Sequence, residues 1–190
     1  MFSLKVDDEI ELRLLEERHA EEVFALVDAN RAHLRQWLVW VDEEDSVVQA
    51  RDYIGKMHER FAAFTGLAMG IWYQNQLAGG IGFVNIDSQS RWAEVGYWID
   101  YSAQGHGIMT RSCRALINYA FNDLKLNRIV IRCADGNHRS RAIPERLGFQ
   151  QEGRLRQTIW LYDRFWDALI YGMLADEWNM QNQQEVKHNA

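Results

Sequence analysis

A glycine turn set between a strand and a long amphipathic helix limits this chain more than any other feature. In Gln104-Gly105-His106-Gly107-Ile108-Met109-Thr110, two glycines separated by one residue follow a hydrophobic run, Val95 to Ile99. They precede a helical stripe of Met109, Cys113, Leu116, Ile117, Ala120, Phe121 and Leu124. Such a turn lets the backbone reverse tightly and leaves several amide N–H groups converging at the start of a helix, a place to hold phosphate. A glycine pair by itself is equally an unliganded strand-to-helix turn. Beyond the helix, Arg128 to Ala134 reads as a buried strand. Strand, helix and strand in that order require a right-handed crossover and parallel pairing of Val95 to Ile99 with Arg128 to Ala134. The glycine turn then lies at the carboxyl end of a strand, where open sheets bind ligands.

The stretches before this unit alternate between the two periods. Phe2 to Val6 and Ile10 to Leu14 read as an opening hairpin, and Ala20, Val23, Phe24 and Val27 as one side of a helix from Glu17 to Asn30, with a shorter helical piece reaching Trp40. Ser46-Val47-Val48-Gln49 predicts a capping box at the head of a helix whose stripe is Val47, Ala50, Ile54, Met57, Phe61 and Phe64. The acidic run from Asp42 to Asp45 suits the positive end of that helix, or guards the mouth of a site for a cationic substrate. Trp37 and Trp40 either pack the first helices onto a sheet or form an aromatic wall facing substrate. Leu67 to Tyr73, Leu77 to Val84 and Trp92 to Ile99 read as an antiparallel meander, with Gly79, Gly80 and Gly82 marking a bulge or a close backbone approach. After Arg128 to Ala134, a short helix from Ser140 to Leu147 ends at Gly148, and strands follow at Phe149 to Arg156 and Trp166 to Met173. The polar tail, residues 180–190, is expected to fray.

At 190 residues, with 47% hydrophobic content, the chain can bury one sizeable core, and a single domain is expected over residues 1–179. A formal charge of -6 argues against a protein that coats nucleic acid, which needs a basic face. Cys113 and Cys133 stand in no metal-ligand spacing, so no metal is expected, and both suit core packing. No apolar run is long enough to span a bilayer and no secretory signal is evident, which reads as a cytoplasmic protein with reduced thiols.

Ala93-Glu94-Val95-Gly96-Tyr97-Trp98-Ile99, then Gln104 to Thr110, then Asn137-x-x-Ser140 leading to Arg146-Leu147-Gly148-Phe149-Gln150-Gln151-Glu152-Gly153 resemble, in order and separation, the GNAT N-acetyltransferase superfamily. Within it they resemble the RimJ/RimL type, which acetylates the amino termini of ribosomal proteins. The likeness runs from about Leu12 to Leu174. It implies a mixed α/β fold: a mostly antiparallel central sheet with a bulged strand, flanked by helices, binding acetyl-CoA. The pyrophosphate would lie on the backbone of Gln104, Gly105, His106, Gly107, Ile108, Met109 and Thr110, with Met109 departing from the family's Gly or Ala. The bulged strand at Tyr97, Trp98 and Ile99 would supply an unpaired N–H for the oxyanion, with Gly96 permitting the distortion.

By the same resemblance Ser140 donates to the departing thiolate, and Asn137 bonds the pantetheine arm or the chain entering the helix. Ser140 suits a helix cap equally well. Pro144, four residues on, cannot donate to the Ser140 carbonyl, so that carbonyl is free beside the acyl group, or the helix begins later. Glu94 is either the base for the incoming amine or an outward-facing surface carboxylate. Some RimL-type enzymes carry a glutamate in the strand after the Glu-Gly pair, at a position close to Ile159 here, which cannot titrate. The expected partner besides acetyl-CoA is an amine acceptor, either a protein amino terminus or a small amine such as a polyamine, an aminoglycoside or an aminoacyl nucleotide. A non-catalytic acetyl-CoA-binding module is the alternative from another class. Tyr162, Phe165 and Trp166 suit a homodimer surface or the packing of the last strands.

Overall fold

The computed structural model of the chain describes residues 2–43 and 45–188, with side chains as far as Gln184. Glu44 of the acidic run and the last two residues of the tail lie outside the described residues.

The opening hairpin forms as expected, from β1 (Ser3–Lys5) and β2 (Ile10–Leu14). Three helices follow, α1 (Ala20–Ala29), α2 (Arg31–Leu34) and α3 (Val47–Ala62). The predicted capping box at α3 is half made. Ser46 Oγ accepts from Gln49 N at 3.4 Å, but Gln49 Oε1 accepts from Asp45 N, not from Ser46 N. Ala50 and Ile54 bury the α3 stripe, whereas Phe64 lies past the helix end at φ 55 and turns outward.

The meander is β3 (Leu67–Tyr73), β4 (Gln76–Asp87) and β5 (Trp92–Ile99). Gln74 and Asn75 both take positive φ, the two-residue turn whose twist suits a hairpin. Then come α4 (Ile108–Asn122), β6 (Arg128–Ala134), α5 (His138–Arg146), β7 (Gln150–Leu161), β8 (Arg164–Leu174) and α6 (Ala175–His188). The strands form one sheet in the order β1-β2-β3-β4-β5-β6-β8-β7. Every pair is antiparallel except β5 with β6, the pair that the α4 crossover requires. The final hairpin is longer than its hydrophobic runs, because β7 and β8 pair up to Leu161 and Arg164 around a two-residue turn.

The two faces of the sheet carry separate cores. Ala93 and Val95 of β5 enter the larger one with Cys113, Leu116 and Ile117 of α4, and Tyr97 and Ile99 pack against it. Trp98 points to the opposite face and packs with the smaller core of Val23, Val27, Ala50 and Ile54 under α1 and α3. This alternation follows from the two-residue period of a strand.

The stretch from Met180, expected to fray, is helical as far as His188. Trp178 anchors it, with 1% of its surface exposed and its Nε1 donating to Asn118 Oδ1 at 2.7 Å, while Glu177 caps the helix start by accepting from Leu174 N at 3.0 Å. Trp178→Ala should therefore cost about 3–5 kcal/mol, read by denaturant unfolding, and reduce helical circular dichroism.

Candidate active site

The glycine turn has the shape that phosphate binding needs. Gly105 and Gly107 stand at φ 84 and 69, and a Cβ built on either meets nothing within 4 Å, so the concave side of the turn is open. Gly107 is the N-cap of α4 and offers no side chain to the helix start. The first-turn N–H groups of Ile108, Met109 and Thr110 therefore point out of the helix, together with the positive end of its dipole. Ile108 and Met109 bury their side chains in the larger core, so the departure at Met109 affects packing and leaves its amide available.

Several side chains far apart in sequence hold this turn. Arg111 Nη1 reaches Asp7 at 2.7 Å and Glu9 at 3.0 Å, and its Nη2 donates to the His106 carbonyl at 3.3 Å. Although partial burial works against it, the N–H groups of Glu9 and Ile10, together with Arg111, hold the Asp7 carboxyl below the usual range. On the other side, Arg139 donates to Gln104 Oε1, and Gln104 Nε2 lies 2.7 Å from His33 Nε2. The amide orientation makes that His33 nitrogen the acceptor, so the imidazole is neutral with its proton on Nδ1. Burial, and then the Arg139 charge, keep its pKa below the ordinary 6.5 against the opposing pull of Asp100. Buried Asn30 adds a second tie, accepting from Tyr101 N at 2.9 Å. None of these partners carries a local sequence signal.

The expected bulge exists, but in β4. Val84 is the extra residue, where the register slips between Phe83 and Asn85 opposite Val95 and Glu94. Tyr97, Trp98 and Ile99 pair regularly with Ile81, Gly80 and Gly79. Gly96 lies beside that bulge, where a Cβ would stand 2.6 Å from Cγ2 of the exposed Val84 side chain, which would have to turn aside. What leaves amides of β5 unpaired is a parting of strands. β5 meets β6 only from Trp92 to Val95, and beyond Ile131 the two diverge. Asp100 N bonds Ala78 O of β4, so by strand alternation the N–H groups of Tyr97 and Ile99 face the opening beside β6.

Ser140 lies at that opening, in the first turn of α5. The helix cap is Asn137, whose Oδ1 accepts from Ser140 N at 3.1 Å, so Ser140 is not itself the cap. Pro144 sits inside α5, and the helix begins before Ser140, not after it. The Ser140 carbonyl that Pro144 leaves without a helical partner accepts from Tyr97 Oη at 3.0 Å, and Ser140 Oγ lies 3.4 Å from the same Tyr97 oxygen. Burial pushes the Tyr97 phenol well above its usual pKa, so it stays protonated.

Glu94 stands elsewhere. Alternation along β5 puts it on the opposite face from Tyr97, with Oε1 3.4 Å from Arg132 Nε. Asp42 of the acidic run is engaged by Arg35 at 2.7 Å, and the Arg35 guanidinium lies 4.6 Å over the ring of Tyr162. Trp37 packs edge-on against Trp166 at 5.2 Å and Trp40 against Trp98 at 6.1 Å. Tyr162 and Phe165 are exposed, and Trp166 is half-buried. Ile159 pairs with Trp166 across β7 and β8.

A glycine turn at a helix start, beside a cleft where parallel strands part and a serine stands, is an arrangement that suits an acyl-CoA-dependent transferase. The chain belongs to the acetyltransferase (GNAT) domain family, which residues 9–150 match, and the protein is an acetyltransferase. YdaF of Bacillus subtilis (strain 168) is 39% identical to it, over 94% of this chain and 98% of its own length. The ribosomal-protein-serine acetyltransferase of Escherichia coli (strain K12) is 32% identical, over 92% of this chain and 97% of its own. The structure of RimL, a ribosomal L7/L12 alpha-N-protein acetyltransferase in complex with coenzyme A, superimposes with a TM-score of 0.90 at 30% identity, covering 93% of this chain and 99% of that one.

The neutral His33 makes the site acid-sensitive. Below the ordinary histidine value of 6.5 the unfolded chain takes up a proton that folded His33 resists, so stability falls as the pH drops through that value. The loss of melting temperature between pH 7.5 and 5.5, by calorimetry, should be smaller in His33→Gln than in the parent; an equal loss would remove His33 from the account.

Proposed function

We propose that the protein transfers acetyl from acetyl-CoA to the alpha-amine of a protein amino terminus, with a ribosomal protein as acceptor. The observation that carries this reading is the opening between β5 and β6, flanked by the glycine turn on one side and Ser140 on the other. The relatives named for ribosomal-protein acetylation match over nearly the whole chain, which supports the choice of acceptor.

In this reading the backbone from Gln104 to Thr110 holds the pyrophosphate and α4 adds its dipole. The N–H groups of Tyr97 and Ile99 donate to the carbonyl oxygen as negative charge grows on it, in a site that needs no reorganisation. Asn137 holds the first turn of α5 so that Ser140 Oγ faces the sulfur, and the serine hydroxyl donates to the thiolate as the carbon–sulfur bond breaks and the carbon–nitrogen bond forms. The amine attacks directly, and on becoming an amide the nitrogen passes one proton to solvent water, while the proton that ends on sulfur comes through the Ser140 hydroxyl, which water reprotonates. Glu94, across the sheet and paired with Arg132, takes the surface-carboxylate role of its two readings.

The test follows label from acetyl-labelled acetyl-CoA into a cell extract divided into macromolecular and small-molecule fractions. The parent should label a discrete protein at its amino terminus, Ser140→Ala should lower the rate about 10- to 100-fold, and Glu94→Gln should stay within about twofold. Label confined to small molecules would sink the protein-acceptor reading, and a large loss in Glu94→Gln would restore that residue as the base.

A further inference from the structure

Pro144 and Tyr97, 47 positions apart by their numbers, meet at one atom. A helix normally satisfies each carbonyl with the N–H four residues on, and at position 144 there is none. The half-buried Ser140 carbonyl would lack its helical partner were it not for the Tyr97 hydroxyl, which donates to it at 3.0 Å. With its one hydrogen committed there, Tyr97 Oη can only accept from Ser140 Oγ, 3.4 Å away. The phenol ring packs against the larger core beside Cys113, Cys133 and Tyr171, so it has little room to swing.

We infer that Tyr97 is the positioning residue for Ser140, and that Pro144 is the complement that makes this possible by leaving the Ser140 carbonyl for the phenol. The inference rests on the role of Ser140 proposed above. A tyrosine whose hydrogen is held by a backbone carbonyl does not itself protonate sulfur. It fixes the serine backbone through one bond and limits the serine rotamers through the other, and the 3.4 Å contact is long enough for the serine hydrogen to turn to a thiolate when one forms.

The readout is the acidity of the thiol of bound coenzyme A, titrated by the ultraviolet absorbance of its thiolate, which needs no acceptor. Burial pushes the protein's own thiols up, Cys133 to about 11 and Cys113 higher still, and because Ser140 also touches Cys133 each variant is titrated without coenzyme A and that curve subtracted. A donor aimed at sulfur lowers the pKa of the bound thiol below that of free coenzyme A. Ser140→Ala and Tyr97→Phe should each raise it by about one unit, with coenzyme A affinity within about twofold of the parent, and the pair together should raise it no further than either alone. Tyr97→Phe should also lower the melting temperature. Adding Pro144→Ala should restore the melting temperature, because a backbone N–H then takes the carbonyl, while the thiol pKa stays raised.

If the double variant recovers both stability and thiol acidity, Tyr97 only fills a hydrogen bond and the inference falls. If Ser140→Ala shifts the thiol and Tyr97→Phe does not, the positioning role falls alone and the serine assignment stands. If Ser140→Ala itself leaves the thiol unchanged, the serine assignment fails and takes the inference with it.

Discussion

The site depends on β5 leaving β6 after four residue pairs. A parallel pair buried on both faces ordinarily stays hydrogen-bonded along its length, because an unpaired buried amide is costly. Here pairing stops at Val95 and Ile131. Across β5 from that point β4 carries its extra residue, Val84. A bulge bends its strand and increases the local twist, so β5 is turned on one flank at the place where it loses its partner on the other. The result is an opening lined by backbone donors, with the starts of α4 and α5 at its end.

Holding two helix starts at one opening requires ties from both faces of the sheet. On one side Arg111 joins the turn to the hairpin of β1 and β2 through Asp7 and Glu9. On the other, His33 and Asn30 join it to the α1 and α2 region, and Arg139 joins it to α5 through Gln104. Exposed ion pairs of this kind contribute little to stability singly. Their value is geometric, since they fix the backbone of the turn so that its N–H groups converge.

Much of this was legible in the sequence. The strand, glycine turn and helix predicted the crossover, the parallel pair and the place of the turn at the helix start, because each rests on local backbone chemistry and periodicity. Harder to read was what leaves amides of β5 unpaired. The glycines near Gly79 and the Gly96 position suggested distortion, but one missing pair in a ladder looks the same in sequence whether it comes from a bulge or from parting strands. The helix that carries the polar tail was also not read from the sequence, since the burial of Trp178 that anchors its start is a tertiary contact.

Pro144 shows where the boundary lies. Proline lacks an N–H, so the sequence by itself determined that the Ser140 carbonyl would have no helical partner, together with the fold class, the family and the glycine turn. It could not determine what would fill that vacancy, or that Asn137 and not Ser140 would cap α5, or that Glu94 would face away from the site. Those outcomes belong to the tertiary structure, because each depends on which face of a strand meets which turn of a helix. That choice is made by packing between residues dozens of positions apart, with no trace in the local pattern.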